Sequence, residues 1–125
     1  MGAIPILIIE NNDSHLKLEK LALADDNYEI RSTTNAKETM EMLKEFHPHL
    51  ILMAIELPEM SGLELTKILK ASPKYRDIKI VAVTAYGMEE DKERAIEAGF
   101  NGYIIKPIDI ETFGQTIASF LTRVP

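Results

Sequence analysis

Four stretches of this 125-residue chain are apolar almost without interruption: residues 4–9, 50–55, 78–84 and 103–105, with a more polar extended stretch at 28–33. A strand with one wet face alternates apolar and polar residues. An unbroken short apolar run is what a strand covered on both faces requires. Between the runs the spacing changes to three and four: Ala36, Met40 and Leu43, then Leu65, Ile68 and Leu69, then Phe113, Ile117, Phe120 and Leu121 read as helix stripes. Asn35 with Glu38 and Ser61 with Glu64 have capping-box spacing, in which the first side chain accepts from a free N–H and the glutamate reaches back. Gly99 suits the left-handed residue that closes a helix. The expected order is β 4–10, α 13–25, β 28–33, α 35–46, β 49–54, α 61–71, β 78–84, α 88–98, β 102–105, α 109–122. Five successive βα units predict an α/β fold: a parallel sheet between two helical layers, with right-handed crossovers. Chemistry on such a sheet belongs beyond the carboxyl ends of the strands.

The length and a hydrophobic content of 46% suit one compact domain over residues 1–125, with both termini expected to fray. Twenty acidic and 14 basic residues give a formal charge of −6 spread along the chain, which argues against non-specific nucleic-acid binding, because that rests on neutralising phosphates. Without cysteine there is no disulfide, thiolate nucleophile or thiolate metal site. No apolar run approaches the roughly 18 residues of a membrane span, and no charged leader precedes the first run. A soluble cytoplasmic protein is the expectation. The 125 residues include no DNA-binding segment, so the chain is not expected to regulate promoters itself.

The strand ends carry Glu10-Asn11-Asn12, then Ala54, then Thr84-Ala85, then Lys106-Pro107. With ILIIENN at 6–12, PHLILMAIELPEMSGLEL at 48–65, IVAVTAYG at 80–87 and AGFNGYIIKPI at 98–108, the chain resembles the receiver domain of two-component response regulators over nearly its full length. The resemblance implies a flavodoxin-like (βα)5 fold with strand order 2-1-3-4-5. It also implies a chemistry. An acidic pair after the first strand and an aspartate after the third hold Mg²⁺, helped by a backbone carbonyl two residues on. The aspartate takes a phosphoryl group from phosphohistidine or a small donor. A Thr or Ser and a Lys then bind the phosphoryl oxygens, and an aromatic residue on the last strand reorients. Such a reaction needs an oxygen nucleophile, a cation to screen charge, and donors for the transferring group.

Matched position by position, Glu10 keeps the first carboxylate, Asn11 loses the second, and Ala54 leaves the nucleophile position without an attacking atom. Glu56 takes the carbonyl-donor position, Thr84 the hydroxyl, Lys106 the lysine and Tyr103 the aromatic switch. The Lys106–Pro107 bond is cis by the same resemblance, which X–Pro energetics allow. Three carboxylates and one lysine leave an intact site at about −2, suited to a hard divalent cation. Here Glu10 and Lys106 sum to zero, so Mg²⁺ binding is expected to be weak or absent unless the Glu56 side chain turns inward.

Each residue also has a plainer reading. Ala54 suits the end of any buried strand, Thr84 is β-branched, Lys106 could be a surface lysine at a turn, and a half-buried Tyr103 on an edge strand needs no switching role. His15, His47 and His49 read as solvated histidines, and residues 89–94 as a solvated first helical turn with acids well placed near its start. The joint change at 11 and 54 points to a pseudo-receiver, not an enzyme, acting by contact with a histidine kinase, phosphotransfer protein or output domain. The surface implied is helix 4, strand 5 and helix 5, including Met88 and Tyr103. The rivals are a conventional regulator with an engineered Asp-to-Ala change at 54, and a small-ligand-binding flavodoxin-like protein. The second of these lacks a Gly-rich loop after the first strand.

Overall fold

The computed structural model describes residues 3–24, 27–85 and 87–122. Apart from Ala3, the fraying expected at the termini falls outside these residues. The elements are β1 (Ile4–Ile9), α1 (Asp13–Ala22), β2 (Tyr28–Thr33), α2 (Ala36–Met42), β3 (Leu50–Met53), α3 (Gly62–Ala71), β4 (Lys79–Thr84), α4 (Glu89–Ala98), β5 (Gly102–Ile105) and α5 (Ile110–Thr122). The strands form one parallel sheet in the order β2-β1-β3-β4-β5. The expected fold and strand order are therefore found.

Strand alternation divides the core in two. Leu7 and Ile9 of β1, Ile51 and Met53 of β3, and Ile80 and Ala82 of β4 pack with Leu43, Leu65, Leu69 and Ala95 of the α2, α3 and α4 side. Their neighbours Ile6, Ile8, Leu50, Leu52, Val81 and Val83 point the other way and meet Leu23, Phe113 and Ile117 of the α1 and α5 side. Central strands buried on both faces account for the unbroken apolar runs, and each fully buried Leu or Ile contributes roughly 1.5–3 kcal/mol.

Local signals set most helix ends. Asn35 and Ser61 cap α2 and α3, accepting from the Glu38 and Glu64 amides at 2.8 and 3.2 Å. The reciprocal half of the first box differs from expectation: Glu38 reaches past the cap to the Thr34 N–H and hydroxyl, at 2.8 and 2.9 Å. Asn12 caps α1 through the His15 amide, and Gly99 ends α4 at φ 110°. Two helices are shorter than expected. α2 stops at Met42, where residues 44 and 45 bond three residues back and tighten the chain ahead of Pro48. α1 stops at Ala22, with Leu23 as its cap. Ile68 is 45% exposed, so the α3 stripe narrows to Leu65 and Leu69. Gly62 has a packing reason: a Cβ there would lie 2.4 Å from the Ala54 carbonyl oxygen. Its absence lets α3 start directly against the end of β3.

Candidate functional site

The carboxyl ends of β1, β3 and β4 and the turn after β5 converge on a cavity of about 310 Å³, lined by Glu10, Asn11, Ala54, Glu56, Thr84 and Lys106 among others. The fold therefore brings together all six site positions expected there. At its floor, Lys106 Nζ donates to Glu10 Oε1 at 2.6 Å. Glu10 is buried, its side chain 3% exposed, and Lys106 is partly buried, its side chain 13% exposed. The Asn12 N–H donates to the second Glu10 oxygen at 3.2 Å. Two backbone hydrogen bonds set this placement: Glu10 N–H to the Thr33 carbonyl at 3.0 Å, and Lys106 N–H to the Thr84 carbonyl at 2.7 Å. The Lys106–Pro107 peptide is cis, as the resemblance implies.

Ala54 is buried at the end of β3, its N–H bonded to the Ile9 carbonyl, and it presents only a methyl group. Asn11 and Glu56 are exposed at the rim. Thr84 is buried at the end of β4. Tyr103, half-buried on the edge strand β5, packs against the α2–α4 side of the core. Burial raises its phenol pKa, and Asp91 adds to the effect. Met88 is 69% exposed just ahead of α4, its N–H bonded to the Asp91 carboxylate. His47 and His49 are exposed, as expected.

His15 departs from expectation. Although exposed, it is no free solvated histidine: its Nδ1 lies 2.9 Å from Lys106 Nζ. Since the ammonium only donates, this nitrogen is the acceptor. Sequence reasoning also missed Glu19 on α1. This carboxyl is 2% exposed, and one oxygen, Oε2, has no hydrogen-bond partner. Its pKa is pushed up to about 8, first by burial, then by the Glu10 charge and a hydrogen bond to the Glu10 side chain, against a lowering by Lys106. The signal was in the spacing: Leu16, Glu19 and Leu23 step by three and four, which places a carboxylate on the inward face of α1.

Mg²⁺ requires a near-octahedral set of oxygens, usually anchored by carboxylates. Of the positions the resemblance implies, Glu10 supplies the one buried carboxylate, and both its oxygens are engaged by Lys106 and Asn12. Asn11 and Glu56 are exposed at the rim of the cavity, Asn11 carries no carboxylate, and the Ala54 side chain has no donor atom. Among the described residues no group of three or more His, Cys, Asp or Glu is arranged to hold a metal ion. These residues do not fit the cation.

A family model described as the response regulator receiver domain matches residues 6–118. The polar-differentiation response regulator DivK of Brucella ovis is 42% identical over 116 residues, covering 93% of this chain and 94% of DivK. Among solved structures, a CheY-like response regulator receiver domain protein from Methanospirillum hungatei superposes with TM-score 0.84 at 27% identity, covering 95% of this chain and 94% of that one. The chemotaxis response regulator CheY4 of Vibrio cholerae superposes with TM-score 0.86 at 21% identity, covering 94% and 98%, and shows the shared fold. The matched span takes in the strand order, the convergent strand ends and the Lys-cis-Pro turn, and the chain belongs to the response regulator receiver domain family of two-component signalling.

Proposed function

We propose that this receiver domain signals without an aspartyl phosphate at position 54 and works through protein–protein contact. The observation that carries this reading is Ala54 beside a closed Glu10–Lys106 pair. A methyl group cannot attack phosphorus, and the lysine that would hold a phosphoryl oxygen is committed to a carboxylate and to His15. The domain is then no enzyme, its affinity for Mg²⁺ is weak or absent, and its partner is a histidine kinase, phosphotransfer protein or output domain in the cytoplasm. The formal charge of −6 gives no support to a nucleic-acid partner. Among the described residues no helix is long and apolar enough to cross a membrane.

Incubation with acetyl phosphate or beryllofluoride and Mg²⁺, read by intact mass and NMR, is expected to leave the protein without an adduct. A stable adduct would mean another acceptor, with Glu56 and Asp13 the first to examine. Calorimetric titration is expected to show no micromolar Mg²⁺ site, and finding one would overturn the reading of the pocket. An aspartate codon at 54 in the source gene would end the pseudo-receiver reading in favour of an engineered change.

The α4–β5–α5 side is the proposed partner surface. Met88, Ile96, Ile105 and Ile110 expose between 43% and 69% of their surface there, beside Tyr103. A ligand or modification shifts a two-state domain only through unequal affinity for the two states, so a receiver without a phosphoryl group depends on its partner for that bias. Tyr103→Ala is expected to weaken partner binding. An unchanged affinity would count against this surface.

A further inference from the structure

Among the described residues the sheet ends at β2, whose one neighbour is β1. The register between them runs from Ile4–Tyr28 to Ile9–Thr33 without a bulge. The Ile4 N–H donates to the Asn27 carbonyl at 2.6 Å, and the Glu10 N–H to the Thr33 carbonyl at 3.0 Å. Strand geometry repeats every second residue. The odd-numbered residues of β2 therefore turn their backbone groups to β1, and Ile30 and Ser32 turn theirs outward. Among the described residues no hydrogen bond reaches those outward groups. Each residue from 28 to 32 keeps some solvent exposure, so this edge is open. Proteins usually blunt an open edge with lysine, proline or a bulge, and β2 has none of these. It carries instead Glu29 and Arg31, one acid and one base on the same face, 3.3 Å apart with side chains 50% and 41% exposed.

We propose that β2 pairs antiparallel with β2 of a second copy of this chain, about a two-fold axis at Ile30, extending one sheet across both copies. Backbone pairing at an open edge accepts any extended segment, and side chains choose among them. Here the charges choose a second copy. With the axis at Ile30, that residue exchanges two hydrogen bonds with its own counterpart, and Glu29 of each copy lies opposite Arg31 of the other. These are non-hydrogen-bonded positions, where Cα atoms approach to about 4.5 Å and side chains interact most closely. The contact is isologous, so both ion pairs form at once. The charges also fix the register. Moving the axis to position 29 sets glutamate against glutamate, and moving it to 31 sets arginine against arginine, both unfavourable. Arg31 is already restrained, its guanidinium 4.5 Å over the Phe46 ring, which lowers the entropy lost on pairing. The exposed pair it makes with Glu29 within one chain is worth little, so exchanging it costs little. Because β2 and β5 are opposite edges of the sheet, the dimer leaves the α4–β5–α5 surface open.

Sedimentation equilibrium of the whole chain over a range of concentrations, with amide NMR on the same samples, tests the pairing. A strand-to-strand contact is small, so the expected dimer is weak, with Kd between roughly 10 μM and 1 mM. Its concentration-dependent shifts should centre on the amides of Ile30, Arg31 and Ser32. Glu29→Arg and Arg31→Glu, each checked for an intact fold by its amide spectrum, set like charges against each other across the axis. Each alone is expected to self-associate at least tenfold more weakly than wild type. Mixed in equal amounts they bring opposite charges together again, and the mixed dimer should return to within about threefold of the wild-type Kd. That rescue is specific to the register centred on Ile30. The proposal is overturned if wild type stays monomeric up to ~1 mM, which would leave the edge to a strand of another protein. It is equally overturned if either folded variant dimerises as well as wild type, if mixing the variants restores nothing, or if the shifts centre on Ile96, Ile105 and Ile110 instead.

Discussion

Two buried polar pairs stand at the ends of neighbouring strands, on opposite faces of the sheet, and they are built to different standards. On the α2 side, the Thr33 and Thr39 hydroxyls lie 2.7 Å apart, and Thr39 also donates to the Asn35 carbonyl at 2.8 Å. Every partner is neutral, and the network closes within one βα unit. On the α1 side, Glu10 and Glu19 bring two carboxyls together, with Lys106 from the far end of the chain and the exposed His15 as the external partners. One oxygen there remains unpartnered. A hydrogen bond from the Glu10 N–H to the Thr33 carbonyl connects the two regions. The first pair is what structure alone requires of a buried polar group. The second leaves a polar cost uncompensated.

The largest effect expected from this difference depends on pH. Glu19 has a folded pKa raised to about 8 from an ordinary 4.5, so the native state keeps a proton that the unfolded chain releases. The stability this proton brings is complete below about 4.5 and is lost as pH rises through about 8. Across pH 5 to 8 the loss amounts to roughly 3–4 kcal/mol, from about 1.4 kcal/mol per unit. Urea denaturation of wild type and Glu19→Gln across that range isolates the effect: their difference should grow in the variant's favour as pH rises. Parallel curves would show that the α1 pair costs no more than the threonine pair.

Next comes Lys106→Met, which strips the ammonium from Glu10 and leaves a carboxylate 3% exposed with only the Asn12 N–H and the Glu19 carboxyl to pair with. Breaking a buried ion pair from one side costs about 3 kcal/mol or more. Denaturant midpoints at pH 7 should fall accordingly. A loss well under 1 kcal/mol would mean that water reaches Glu10 and that the pair is effectively a surface contact.

Most of the frame was legible because two periodicities carry it: unbroken apolar runs for the central strands, and three-and-four steps for α3 and α5. The strand-end positions followed from the resemblance, and the fold places Glu10, Ala54, Thr84 and Lys106 around one cavity. What escaped were features decided by contacts across the chain. Glu19 looks like any helix glutamate until its step from Leu16 to Leu23 is laid against the end of β1. His15 looks solvated until a lysine 91 positions later reaches it. The early end of α2 depends on how residues 43–46 tighten ahead of Pro48, which propensity does not report.

The smallest effect expected is on the α2 side, where it measures how complete that pair is. Thr39→Val keeps the β-branched shape but removes the hydroxyl that bonds both Thr33 and the Asn35 carbonyl, leaving a buried Thr33 oxygen short of one partner. The cost should be about 1–2 kcal/mol, read from the thermal or urea midpoint. Adding Thr33→Val removes the orphaned hydroxyl along with its desolvation penalty, so the double variant should lose less than the sum of the two single losses. A sum that adds without coupling would mean the hydroxyls do not share a bond of consequence. The contrast between a closed neutral pair and an open charged one would then rest on the α1 side alone.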